Sequence, residues 1–336
     1  MVVEPTAEAI QRAADLLRAG ELVALPTETV YGLGADALNP AAVARIFAAK
    51  NRPADHPLIV HLPGIDHLPH WAAAIPTDAL ALARAFWPGP LTLILKREAC
   101  VPDVVTGGQD TVGLRVPNHP VALALLRAFD SGIAAPSANR FGRISPTTAA
   151  HVREELGERV AMVLDGGPCD VGIESTILDL SRDTPVILRP GAISADDIAA
   201  VIGRRPLLRG EASTVDQRAE PRVSGALAAH YAPTTPLRLV PAARLGETAT
   251  ALTGEGRRVA VLACTCSDPH DARLIWQAAP ADPAAFAHDL YANLRRLDAC
   301  GADVILAESV PETEQWQAIR DRLDRAATGS GADDET

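Results

Sequence analysis

The sequence predicts an α/β fold built on a mixed sheet. Three observations carry that expectation. Short apolar segments rich in Val, Ile and Leu alternate with segments whose apolar residues recur at helical spacing. Several neighbouring strand-like segments have no helix between them, and parallel neighbours need a crossover, so the sheet is mixed. The pattern fails around 204–235 and then resumes, which divides the 336 residues into two domains.

The elements follow in order. Residues 7–19 have apolar positions at helical spacing, and Gly20 stops the helix. Residues 21–25 read as a strand ending at Pro26, 40–49 as a helix, and 57–62 as a short apolar strand. A helix over 76–87 stops at the run Pro88, Gly89, Pro90. Strands are expected at 91–96, 111–116, 132–135, 161–165, 175–180 and 185–189, with helices at 119–129, 147–156 and 195–202. Turn chemistry without periodicity fills 204–235, which reads as a linker or lid. Beyond it, strands at 257–264 and 303–307, an amphipathic helix at 283–300 and a last helix at 314–326 make a smaller α/β domain.

Composition narrows the classes. Hydrophobic residues are 48% and charged residues 22%, which excludes a disordered chain. The net charge of −11 argues against charge-driven binding to nucleic acid, although residues 1–210 carry only −4 of it. No apolar run approaches the roughly 20 residues a membrane helix needs. Residues 1–11 lack the basic start of a secretory signal, and the five cysteines are sparse and unpaired in spacing, so a cytoplasmic location is expected. Of the 31 basic residues only Lys50 and Lys96 are lysine.

Four segments carry chemistry. Residues 26–34 (PTETVYGLG) run from a strand into a turn rich in hydroxyls and backbone N–H groups; they match neither a P-loop nor GxGxxG. Lys50 and Arg52 lie two apart beyond a helix end, and extended backbone would aim both at one anion. Ser137 and Asn139 repeat that spacing after a strand, and Ser145 is expected to cap the next helix. Ser175 and Arg189 fall at strand ends, where open α/β sheets bind ligands. There is no GxSxG elbow, no HExxH and no paired CxxC.

In order and spacing, PTETVYGLG, Lys50-x-Arg52-Pro, Ser137-x-Asn139, Asp165-Gly-Gly and Glu174-Ser-Thr-Ile resemble the signature of the YrdC family. With the segment ending His230-Tyr-Ala-Pro, the whole chain resembles the long, two-domain form. The resemblance implies a YrdC-like catalytic domain over 1–207, a linker or lid over 208–235, a small Rossmann-like α/β domain over 236–327 and a disordered tail over 328–336. It implies a nucleotidyltransferase that makes L-threonylcarbamoyl-adenylate from L-threonine, bicarbonate or CO₂, and ATP with Mg²⁺, releasing pyrophosphate. That is the first step toward N6-threonylcarbamoyladenosine at position 37 of tRNAs reading ANN codons.

By the same resemblance, Lys50, Arg52, Ser137 and Asn139 form the tetrad that grips the phosphates. Arg52, His56, Thr111, Ser137, Ser145, Arg189 and Val223 would line the ATP site. Thr29, His61, Arg115, Ala135 and Ser175 would line the threonine site. No resident metal is implied. His56 stands where many relatives have Asn. A downstream threonylcarbamoyl transferase is the implied partner, with tRNA contacted indirectly or weakly and no membrane contact. The alternatives are an RNA-binding module and a carbamoyl-transfer enzyme of the same superfamily; the latter should bring acylphosphatase and zinc-finger segments, which this chain lacks.

Overall fold

The computed structural model describes residues 1–211 and 220–331. They fold as two units: Met1–Phe141 with Pro146–Ala226, and Gly142–Ser145 with the chain from Leu227 on. Residues 212–219 of the expected linker and 332–336 of the expected tail lie outside the described residues.

The first unit contains strands β1 (Val2–Val3), β2 (Val23–Leu25), β3 (Gly32–Asp36), β4 (Ile59–His61), β5 (Leu91–Lys96), β6 (Thr111–Arg115), β7 (Ile133–Ala134), β8 (Met162–Leu164), β9 (Thr176–Asp179), β10 (Val186–Arg189) and β11 (Leu207–Leu208). Their order in the sheet is β1-β8-β2-β3-β7-β4-β6-β5-β9-β10-β11. Five ladders are parallel and five antiparallel, so the sheet is mixed as expected. Its helices are α1 (Ala7–Arg18), α2 (Pro40–Lys50), α3 (Thr77–Phe86), α4 (Asp103–Thr106), α5 (Pro120–Phe129), α6 (Ala149–Leu156) and α7 (Ala195–Ile202).

Local chemistry sets these boundaries. Thr6 caps α1 by accepting the Ala9 N–H, and Asn39 caps α2 ahead of Pro40. Ser194 and Asp197 form a reciprocal capping box on α7. Ser145 does not cap the next helix: α6 starts later, and Thr148 accepts the His151 N–H. The side-chain period of two appears in β2, whose Val23 and Leu25 pack with α1 and α5 while Ala24 joins the core on the opposite face. In β5, Leu93 and Leu95 enter that larger core, and Ile94 points the other way, toward Ile177, Val186, Leu188 and Val223.

The second unit is an all-parallel sheet of β12 (Leu237–Val240), β13 (Val259–Ala263), β14 (Leu274–Ala278) and β15 (Val304–Glu308), ordered β12-β15-β13-β14. Helices α8 (Ala242–Gly254), α9 (Pro283–Asp298) and α10 (Gln317–Gly329) connect and flank it. At the carboxyl ends of β13 and β15, Glu308 accepts the N–H groups of Cys264 (2.7 Å), Thr265 (2.9 Å) and Cys266 (3.2 Å). The place where such sheets hold anions is filled by the chain's own carboxylate. The last helix runs to Gly329, and the Ser330 hydroxyl accepts the Leu237 N–H at 2.8 Å, so the first residues expected as tail are structured.

Gly191 fixes how the end of β10 meets the start of β9. A Cβ there would lie 2.3 Å from the Thr176 nitrogen and 2.7 Å from the Ser175 carbonyl carbon, both backbone. Gly191→Ala is therefore expected to lower stability by about 1–3 kcal/mol, read as a fall in denaturant midpoint. An unchanged midpoint contradicts this packing.

Candidate active site

Lys50 is the last residue of α2 and only 1% exposed. Its ammonium donates to the carbonyl oxygens of Ser137 (2.5 Å) and Asn139. The helix ends in a left-handed turn at Asn51 (φ 51°). There the Arg52 N–H reaches the Phe47 carbonyl and the Asn51 N–H reaches that of Ala48, the Schellman pattern. This reversal brings Lys50 and Arg52 into one place. The extended i, i+2 geometry expected from sequence is not what does it. Arg52 is buried, donates to the Pro57 carbonyl at 3.0 Å and lies over the Phe141 ring at 5.7 Å. Burial and the Arg52 charge hold the Lys50 amine well below the usual lysine range, against a smaller opposing pull from Glu155.

The segment carrying Ser137 and Asn139 is held as an extra rung on β3. Leu33 donates to the Pro136 carbonyl, Ala138 donates to that of Tyr31, and Gly32 bridges Ser137. The Tyr31 hydroxyl in turn donates to Gly167 at 2.7 Å and accepts from Gly166 at 3.2 Å, which ties the Asp165-Gly-Gly turn to PTETVYGLG. Three of the five motifs are thus stitched together by main-chain and tyrosine hydrogen bonds.

His61 and Arg115 are the last residues of the adjacent parallel strands β4 and β6, directly opposite in register. Arg115 is 3% exposed. Its Nε donates to the Gly89 carbonyl (3.1 Å), its Nη1 to Thr29 Oγ1 (3.0 Å), and its Nη2 lies 2.7 Å from Glu28 Oε1. Ala135 lies alongside, its N–H donating to Ile59 at 2.9 Å. Ser175, just before β9, shares a hydrogen bond with Thr92 (2.8 Å) and accepts one from Arg189 Nη2 (3.2 Å) on its hydroxyl. Its carbonyl also receives Arg189 Nε (3.1 Å) and Nη2 (2.9 Å). Thr29, His61, Arg115, Ala135, Ser175 and Arg189 therefore gather at one end of the sheet.

Beside them is an open cleft. Ile59, Gly113 and Ile94 are aligned across three strands and form its floor, with Thr111 and Ile177 alongside. Arg222, Val223 and Ser224 lie over it. Gln109 holds this strap by accepting the Arg222 N–H (2.6 Å) and donating to the Arg222 carbonyl (3.1 Å). Arg189 Nη1 donates to the Ser224 carbonyl at 3.0 Å, and Arg52 Nη2 lies 3.5 Å from the Ser224 hydroxyl. His56 meets Phe141 edge-on at 5.3 Å, and burial beside Arg52 lowers its pKa. Ser145 is buried and lies in the Gly142–Ser145 segment of the second unit.

The first unit thus offers an apolar slot, a group of buried cations and a pocket of hydroxyls around one arginine. That inventory suits phosphate chemistry by positioning and charge. Sequence reasoning missed Glu28, Gln109, Thr92 and Ser224. Glu28 had a signal, being a carboxylate inside the most informative motif. The others are ordinary residues whose roles come from partners far along the chain.

His61 is 3% exposed, and burial together with the Arg115 charge pushes its pKa down to about 3. Below pH 6.5 the unfolded chain binds a proton that the folded chain refuses. The stability contributed by a neutral His61 is therefore present above pH 6.5 and lost as pH falls toward 3. An NMR titration should show this ring neutral at pH 5. His61→Asn should lose roughly 1.5–2 kcal/mol less stability than the unaltered protein between pH 6.5 and pH 5. A ring titrating near 6.5 contradicts the buried, cation-flanked environment.

The Sua5_yciO_yrdC family model, described as Telomere recombination, matches residues 15–191. The Sua5_C model, described as Threonylcarbamoyl-AMP synthase, C-terminal domain, matches residues 193–328. The threonylcarbamoyl-AMP synthase of Pyrococcus abyssi is 42% identical over 327 residues, covering 95% of this chain and 94% of that one. Its counterpart from Bacillus subtilis is 44% identical over 328 residues, covering 95% and 93%. The structure of P. abyssi Sua5 complexed with L-threonine aligns with a TM-score of 0.90 at 39% identity, covering 98% of each chain. The chain belongs to the threonylcarbamoyl-AMP synthase family, in the form that carries both the Sua5_yciO_yrdC and the Sua5_C domain.

Proposed function

We propose that the first unit condenses L-threonine, bicarbonate and ATP into L-threonylcarbamoyl-adenylate, with release of pyrophosphate. The observation that carries this reading is the contact between Ser175 and Arg189, which joins a hydroxyl-lined arginine pocket to a group of buried cations. The threonine amine adds to CO₂ with loss of a proton, or to bicarbonate with loss of water, and becomes a carbamate. A carbamate oxygen then attacks the α-phosphate, and pyrophosphate leaves in line. Lys50, Arg52, Ser137 and Asn139 hold the phosphates, with Arg189 beside them; Mg²⁺ arrives with the nucleotide and offsets further charge. The adenine ring lies on the Ile59–Gly113–Ile94 floor near Thr111 and His56, under Val223. Ser145 completes this set only by family resemblance.

At the other end, Arg115 receives the threonine carboxylate through paired N–H groups. Thr29, His61 and Ser175 take its polar groups, and the Ala135 main chain lines the pocket. Catalysis is positioning plus electrostatic stabilisation, which suits an inventory without a nucleophile. The product is a diffusible mixed anhydride. A separate transferase would pass its threonylcarbamoyl group to adenosine 37 of ANN-reading tRNAs, so contact with tRNA is indirect. Residues 208–235 connect the catalytic domain, 1–207, to the C-terminal domain, 236–327. Among the described residues no helix is long and apolar enough to cross a membrane, and the proposed setting is the cytoplasm.

Pyrophosphate release tests the reading. With ATP, Mg²⁺ and bicarbonate, release should depend on threonine. Lys50→Ala and Arg52→Ala should each lower turnover by about 100-fold or more without loss of fold. Release without threonine dependence, or near-normal turnover in both variants, contradicts it.

A further inference from the structure

Glu28 sits at the centre of PTETVYGLG with its carboxylate buried at 3% exposure. It is pinned at both ends. The Thr27 hydroxyl accepts the N–H groups of Thr29 and Val30, fixing the turn, and the Val171 N–H donates to the Glu28 carbonyl at 2.7 Å. At the carboxylate, Oε2 accepts the Asn118 N–H at 3.0 Å and Oε1 lies 2.7 Å from Arg115 Nη2. Arg115 is held as firmly, by Gly89 at Nε and Thr29 at Nη1. A guanidinium has five N–H donors. Hydrogen bonds engage one on Nε and one on Nη1, while the Nη2–Glu28 contact is an ion pair without hydrogen-bond geometry, so N–H groups on both terminal nitrogens remain for a ligand.

We propose that Glu28 is a positioning residue for the amino-acid substrate, acting through Arg115. This rests on Arg115 being the partner of the threonine carboxylate. Two consequences follow from the geometry. The carboxylate holds one side of the fork by charge, so the remaining donors on the two terminal nitrogens are presented together. It also balances the Arg115 charge, which suits a zwitterion, itself without net charge. An unbalanced buried cation would instead hold a free anion or distort to reach solvent. Glutamine cannot replace Glu28. Its amide oxygen can accept from Arg115 or from the Asn118 N–H, and its NH₂ then faces the other donor.

Steady-state kinetics of Glu28→Gln provide the test. The KM for threonine should rise about tenfold or more, while the KM for ATP stays within about twofold and kcat changes by less than about threefold. Glu28→Asp keeps the charge with a shorter reach and should fall between; it also serves if the glutamine variant does not fold. A threonine KM within about twofold of normal overturns the proposal. So does a parallel rise in both KM values, which marks general damage. Arg115→Lys separates the two layers of argument. If it leaves the threonine KM unchanged, the assignment of Arg115 fails and Glu28 falls with it. If it raises that KM and Glu28→Gln does not, the role of Glu28 alone is refuted.

Discussion

Lys50 has an ammonium that is fully buried and held by two main-chain carbonyls, those of Ser137 and Asn139. A buried cation without a carboxylate partner is costly, and among the described residues Lys50 forms no ion pair. Much of the first unit serves to hold it there. The Asn51 turn ends α2 at that point, and β3 carries the 136–138 segment whose neighbours supply the carbonyls. Tyr31 secures the adjoining Asp165-Gly-Gly turn. An anion with several oxygens is the natural complement to such an arrangement, because it supplies the charge that the two carbonyl dipoles only partly offset.

Arg115, the last residue of β6, presents a contrast. It too is buried, but Glu28 balances it. The Arg115 charge is therefore balanced before a ligand arrives, and that of Lys50 is not. A zwitterionic amino acid and a polyanionic nucleotide differ in this same respect. Ser175 is bonded to Thr92 on one side and to Arg189 on the other. Arg189 carries that link onward to Ser224 over the cleft.

The sequence made the alternation of strands and helices, the mixed sheet and the key residue types legible, because periodicity and spacing are local. Lys50 and Arg52 were readable as a pair, yet the reason they converge is the left-handed Asn51. Strand β3 was hidden by its glycines. Gly34 is there for close packing, since a Cβ would sit 2.9 Å from Ile133 Cγ2. Helix α8 was missed because its sequence, AARLGETATALTG, mixes glycine and threonine with only three buried anchors, Leu245, Ala249 and Leu252. The Glu28–Arg115 pair and the Arg189–Ser224 contact join residues far apart in the chain, and no local pattern encodes them.

The two-lysine composition makes the central claim directly measurable. In protein labelled at the lysine side chains, NMR should show two signals, Lys50 and the surface residue Lys96, which pairs with Asp110 at 2.6 Å. The account predicts that Lys50 titrates well below the ordinary lysine range in the unliganded protein. Adding an α,β-methylene analogue of ATP with Mg²⁺ should raise its pKa and leave Lys96 unmoved. A Lys50 signal that titrates in the ordinary range, or one that does not respond to the nucleotide, would contradict the assignment of this buried ammonium to the phosphates.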